Sequence, residues 1–392
     1  MADTTVYING GNDMQYENLR IGPVWIDATT AYVIFLDGNS TPVYVKTSDG
    51  GASWSGITTI SIFASRKLSI WYDRWTPGDT GTIIHMAWVD NAQHYIKYRT
   101  LDTDGDSLGT ERTVFNGASF ETGGWNTAMI DIVKARGGNL YVGFWGDSDG
   151  EFGFYRSTDA GVNWTSRAQL ADGNAVDKIL LMPGDATDNQ DIWCVYWDGS
   201  ASEISRKIYD NSGDSWNERS ISGGMIDSVF YFQMSASPRH SDNHVILAAW
   251  SIVDDSTADL KVWDIGGGRD ITAKTDIITN QAETAGVAVL IDQQTDDIYV
   301  AYMVGGTWEA TADVVYVKST DGGANWSAEQ TYSEAAADDI RAVWAGISVG
   351  DADGKFQPVF FNHDNQDLFV NVNNDVDIGA VAAGQRRRGV LV

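Results

Sequence analysis

The chain has 392 residues, 43% of them hydrophobic, with 41 Gly, 6 Pro, 16 Trp and 16 Tyr. That is enough to bury a core but too long for one small domain unless repeats build it. A net charge of −28 excludes nucleic acid or an anionic membrane as a partner for the body of the fold, because a like-charged surface repels phosphate. The one cysteine, Cys194, excludes an intrachain disulfide and lies in an apolar run where a buried thiol is expected instead of a nucleophile.

In chain order, the first residues carry neither the basic region nor the apolar run of a signal peptide, and no stretch is long enough to span a membrane. A short strand over 4–10 has no unit of its own. A unit then recurs about every 50 residues: an apolar strand, an aromatic strand ending in Asp, a third strand, a turn and a short fourth strand. The second strands are the clearest marker, at 32–37, 83–90, 140–147, 192–198, 245–250, 298–303 and 358–364. First strands are expected near 21–26, 68–72, 128–133, 179–182, 230–234, 286–291 and 341–347.

Turns rich in Ser, Asp and Gly and closed by Trp follow third strands at 48–54, 157–164 and 319–326, with looser relatives at 102–107 and 210–216. Asp and Ser bond back to the turn backbone, Gly takes a positive φ, and Trp tucks beneath as a plug. The seventh unit lacks a fourth strand, which the 4–10 segment supplies; the rival closure uses 376–378. The expected fold is all-β: a β-propeller of four-stranded antiparallel blades, seven in preference to six, over residues 1–378 and closed by the N-terminal strand. Residues 379–392 form a tail bearing Arg386, Arg387 and Arg388 ahead of an apolar tip.

In a propeller, the loops after second strands and between blades open on one face, where ligands gather. The repeats deliver Asp37, Asp90, Asp147, Asp198, Asp254 and Asp364 there, several just after Phe35, Trp88, Trp145 or Tyr196. One reading is a binding face for cations or sugars, since aromatic faces stack on sugar rings and carboxylates accept hydroxyl hydrogen bonds. The other is that each Asp starts its loop by bonding its own backbone. Asp102, Asp104 and Asp106 are spaced like a calcium loop, but no Glu stands at the twelfth position and the segment aligns with a turn. No cofactor is required, and calcium is the cation these carboxylates would take. His240 and His244 flank a turn, which is no frame for a zinc pair.

The pattern Ser-x-Asp-x-Gly-x-x-Trp, carried by Asp49 and Trp54, Asp159 and Trp164, and Asp321 and Trp326, resembles the Asp-box, or bacterial neuraminidase repeat, of sialidase-like propellers. Residues 19–23 occupy the place of the Arg-Ile-Pro that opens those enzymes, so the resemblance implies Arg20 as the first of three arginines on a sialic acid carboxylate and Asp37 as the acidic partner. The other two arginines and the Tyr nucleophile have no recognisable counterparts, and sialidases have six blades where seven are read here. Asp-box propellers of seven blades serve other activities as well.

The chain also resembles structural propellers of tailed viruses. That likeness implies a virion component made in the host cytoplasm, an oligomer or assembly part whose partners are other virion proteins or a host-surface glycan, with the arginine tail docked in a neighbour. Three functions stay open: a non-catalytic virion structural or host-glycan-binding propeller, a sialidase-like glycoside hydrolase, and an intracellular assembly factor.

Overall fold

A computed structural model describes residues 3–378 except 12, 13, 15–19, 91–94, 118–128, 147–150, 171–175, 185–188, 199–202, 224–233, 255–256, 267–270, 282–285, 305–312, 334–338, 348–353 and 374–375. The recurring unit becomes a four-stranded antiparallel blade, and seven blades form a propeller. The first strands of the blades are Val24–Trp25, Ser65–Tyr72, Met129–Lys134, Val176–Pro183, Met234–Pro238, Val287–Ile291 and Ile340–Trp344. From the second blade to the seventh they pack side by side around the axis. The second strands Ala31–Leu36, Ile83–Asp90, Leu140–Gly146, Ile192–Asp198, Val245–Asp254, Ile298–Val304 and Val359–Asn362 follow outward.

These second strands read as unbroken apolar runs because both faces of each are covered by neighbouring blades. Ala31–Leu36 is buried at every position, and so are Trp88, Trp193, Trp197 and Trp250. The fifth first strand begins at Met234, at the far end of the expected 230–234 run; residues 230–233 lie outside the described residues.

The seventh blade takes its outer strand from the start of the chain. Thr4–Tyr7 pairs antiparallel with Asp367–Val370, Thr4 opposite Val370 and Thr5 opposite Phe369. The Asn371 amide donates to Asp3 at 2.8 Å, and Asn9 N–H donates to Asp367 at 2.9 Å, pinning both ends of this strand. Val376–Ile378 does not compete for that position: it pairs with Gly354–Phe356 in a separate ribbon. Phe356 of the ribbon packs on Tyr299 and Tyr316, ring centroids 5.1 and 5.4 Å away, and Gln357 beside it reaches the Gly50 carbonyl at 3.5 Å.

The three repeated turns share one hydrogen-bond pattern. In the second, the Ser157 hydroxyl donates to Asp159 at 2.8 Å and accepts from Gly161 N–H, while Asp159 accepts from Asn163 N–H at 2.9 Å. Ser319, Asp321, Gly323 and Asn325 repeat it. In the first turn Thr47, not Ser48, plays the hydroxyl part, donating to Asp49 and accepting from Gly51 N–H at 3.0 Å. With Thr47 as the start, all three turns have the same spacing. Gly51, Gly161 and Gly323 hold φ of 88°, 86° and 87°, where a Cβ would be strained. Trp164 and Trp326 reach back to the preceding blade: Trp164 packs edge-on to Tyr98 at 5.2 Å, and the Trp326 indole donates to the Thr275 carbonyl at 2.8 Å. These turns lie with the first-to-second-strand loops on what is here called the lower face. The second-to-third-strand loops and the links between blades form the upper face.

Candidate functional site on the propeller axis

Arg20 sits at the axis because the chain, after closing the seventh blade, crosses to the centre and bridges in parallel to Ser69 before entering the first blade. Its Nη2 donates to Asp131 Oδ2 at 3.1 Å and to the Leu181 carbonyl at 3.4 Å, and Nη1 donates to the Ile132 carbonyl at 3.2 Å. The guanidinium stacks over Trp71, 4.9 Å from the ring centroid. Asp131 is as fully occupied: Ser69 Oγ, Ile132 N–H at 2.9 Å and Leu181 N–H at 2.7 Å all donate to it. The pair thus ties together the first strands of the second, third and fourth blades. Burial pushes the Asp131 carboxyl up and lowers Arg20, while their mutual attraction opposes both shifts.

Beside the pair lies an axial cavity of about 60 Å³ lined by Ile179, Ser235, Ala236, Val287 and Trp344 among others. That volume admits a few waters. Pockets that enclose drug-sized ligands are roughly 300 Å³ or more.

The axis is closed at its lower end by Trp75, which ends a single 3-10 turn, Asp73–Trp75, after the second blade's first strand. The Trp75 carbonyl lies 3.3 Å from His240 Nε2 of the fifth blade, and its indole lies 3.6 Å from where a Cβ on Gly346 would stand. Loops of the second, fifth and seventh blades meet only at the centre, so the fully buried Trp75 is a floor. Among the described residues, Trp75 thus closes the lower end of the axis.

Beneath the second and third blades, Asp73 collects partners in the same way. His85 Nε2 lies 2.9 Å from Asp73 Oδ1, Lys134 Nζ 2.6 Å from the same oxygen, and Asp79 binds Lys134 at 2.7 Å. His85 Nδ1 meets the Tyr98 hydroxyl at 2.7 Å. Burial would raise Asp73, but His85 and Lys134 override it and hold the carboxyl at about 2. All these groups except Asp79 and Lys134 are sealed from solvent, so the cluster is a brace.

The residues expected on the upper face divide. Asp37 accepts N–H groups of Asn39 and Thr41, both at 2.9 Å, which is the loop-starting arrangement. Asp90 is fully buried. Asp198 is half-buried opposite Glu203, and Asp254 stands opposite Thr257. Asp364 is exposed, and Asp147 lies outside the described residues. Phe35, Trp88, Trp145 and Tyr196 do not form a rim: they point between blades into the core, as the double coverage of second strands requires.

His363, Asp364 and Asp339 approach one another closely enough to suit a cation. Asp339, however, is clasped by Arg341, whose Nη2 stands 2.6 Å away and Nε 2.9 Å, so a fixed positive charge already fills the place. In the calcium-like segment, Asp106 pairs with Lys46 at 3.2 Å and Asp102 accepts from Asp104 N–H at 3.0 Å. The tail Arg386–Arg388 lies outside the described residues.

No protein-family model and no curated protein matches the sequence. Solved structures do share the fold. An ulvan lyase of polysaccharide lyase family PL25 matches at TM-score 0.58 and 12% identity, over 93% of this chain and 94% of its own. The NanB sialidase of Streptococcus pneumoniae matches at 0.51 and 11%, over 79% of this chain and 68% of its own. AofleA of Arthrobotrys oligospora matches at 0.51 and 13%, over 82% and 88%. At these identities the likeness is one of architecture.

Sequence reasoning did not find Asp131, Asp73 or Trp75. The first had a readable signal, since a carboxylate inside the apolar run Met129–Lys134 must find a partner. The other two sit in a loop whose course the repeat does not dictate.

Proposed function

We propose that the protein is a non-catalytic carbohydrate-binding propeller that takes neutral glycans on its upper face. The observation that carries this reading is the commitment of Arg20: a guanidinium shared among Asp131, Ile132, Leu181 and the Trp71 ring has no free fork for a sugar carboxylate. The small axial cavity also argues against a buried saccharide undergoing hydrolysis. Carbohydrate is the ligand class in the neighbouring lyase and sialidase folds, and the net charge of −28 selects sugars without carboxylate or sulfate groups. The setting we propose is the virion of a tailed virus, supported by the sequence resemblance and the basic tail on an acidic body.

Binding to an immobilised panel of neutral, sialylated and sulfated glycans tests the ligand. Retention on neutral glycans only is expected, and turnover of a fluorogenic sialoside, lost in Arg20→Ala while the fold survives, would replace the proposal with a hydrolase. Mass spectrometry of purified particles tests the setting, since absence of the chain from them removes the viral assignment.

A further inference from the structure

On the upper face, residues 8–11 lie across the seam between the seventh and first blades. Gly10 bridges antiparallel to Asp37, Gly11 N–H donates to the Leu36 carbonyl at 2.8 Å, and Asn9 N–H donates to Asp367 at 2.9 Å. A Cβ on Gly38 would stand 2.5 Å from Asn9 Nδ2, so the Asn9 amide lies against the first blade's second-to-third-strand loop. The link to the second blade borders the same shelf: Ser65 N–H donates to the Ser40 carbonyl at 2.7 Å, and Ser61 N–H to the Pro42 carbonyl at 3.4 Å. Asp37 holds the N–H groups of Asn39 and Thr41, and Asn365 accepts from Asp367 N–H at 3.0 Å. Asn9, Ser40 and Gln366 have φ of 66°, 57° and 61°, left-handed conformations that persist only where the surroundings fix them, so the shelf is a set frame.

We propose that this shelf seats the neutral glycan; the inference rests on the carbohydrate-binding reading above and gives it a place on the molecule. The Asn9 and Asn39 side-chain amides are exposed and make no hydrogen bond to another described residue. Each offers an N–H donor beside a carbonyl acceptor, the combination that adjacent sugar hydroxyls require. Among the described residues the two most exposed large apolar side chains are Ile62 at 81% and Ile8 at 67%. They flank the shelf, Ile8 next to the seventh blade's outer strand and Ile62 on the link to the second blade. Apolar surface beside a few fixed polar groups suits a saccharide, which has both C–H faces and hydroxyls. Segments 8–11, 37–41 and 363–367 contain no Lys or Arg, while Asp364 is exposed, so sugars bearing carboxylate or sulfate are repelled. A second copy of this chain fits less well, because polar loops part the two isoleucines.

Calorimetric titration of the full chain with galactose-, glucose-, mannose- and fucose-terminated oligosaccharides tests this. For the member bound most tightly, Asn39→Ala, Ile8→Ser and Asn9→Gly, the last of which keeps φ 66° accessible, should each weaken binding about tenfold with unchanged melting. Asn217→Ala, on the exposed outer strand of the fourth blade, should bind as the parent does. Should a shelf variant melt early, hydrogen exchange of the parent decides: saturating glycan should slow exchange in 8–11, 37–41 and 363–367, and protection confined to other segments overturns the proposal. Shelf variants that bind as tightly as the parent overturn it while the carbohydrate reading stands, whereas a parent that binds none of these sugars overturns both. A dimer in sedimentation that Ile62→Ser abolishes would assign the shelf to a second copy and overturn it equally.

Discussion

Arg20 Nη2 and Asp131 Oδ2 stand 3.1 Å apart on the propeller axis, their side chains only 11% and 3% exposed, and their remaining bonds reach the first strands of the second, third and fourth blades. A buried pair of this kind holds geometry in place, and removing one member strands the other's charge. Arg20→Ala is therefore expected to lower stability by about 3–5 kcal/mol, read as a shift in the urea midpoint with unchanged slope. The double replacement Arg20→Met with Asp131→Leu should recover most of that loss. A single replacement as stable as the parent would show that the pair braces nothing.

Asp73 sets an acid limit on stability. Its carboxyl titrates at about 2 in the fold against 3.8 unfolded, so it contributes stability that is present above pH 4 and lost as pH falls from 4 towards 2. The difference corresponds to about 2 kcal/mol. Asp73→Asn should flatten this limb of the pH–stability curve while lowering the plateau, because Lys134 and His85 then lose the carboxylate charge they share. An unchanged acid limb in the variant would assign the loss to other carboxylates.

Gly51→Ala tests the repeated turn. At φ 88° the new Cβ is strained, and it would stand 2.6 Å from Gln357 Oε1, the contact that joins the first blade to the ribbon. A cost of about 1–3 kcal/mol is expected. Gly138→Ala, also at positive φ but with open space around it, should cost only the backbone share. Equal losses at the two positions would mean that the Gln357 contact adds nothing.

Deleting residues 1–8 removes the strand that covers the edge of Asp367–Val370. Thermal unfolding should move down by about 5–10 °C, and the uncovered edge should promote association. Unaltered melting would mean that this strand adds nothing to closure of the ring.

The repeat made the architecture legible. Aromatic runs such as 192–198 and 140–146 mark strands buried on both faces, and seven of them at even spacing leave little choice of fold. The same burial hid the site: Trp88 and Tyr196 read as potential sugar platforms because sequence cannot tell a residue wedged between blades from one at their rim. Thr47 went unnoticed as the start of the first turn because Ser48 stood next to it, although only the Thr47 hydroxyl reaches both Asp49 and Gly51. Trp75 was beyond reach for another reason. Its role as a floor depends on His240 and Gly346, partners from blades that no local pattern connects to it.

Closure of the seventh blade by Thr4–Tyr7 also sets a timetable. The strand leaves the ribosome ahead of every blade, yet its partner Asp367–Val370 emerges more than 350 residues later. At about 5–20 residues per second that is a wait of roughly 20–70 s. During synthesis six blades can form in order while this strand stays unpaired, so the ring locks only after Asp367–Val370 has been made.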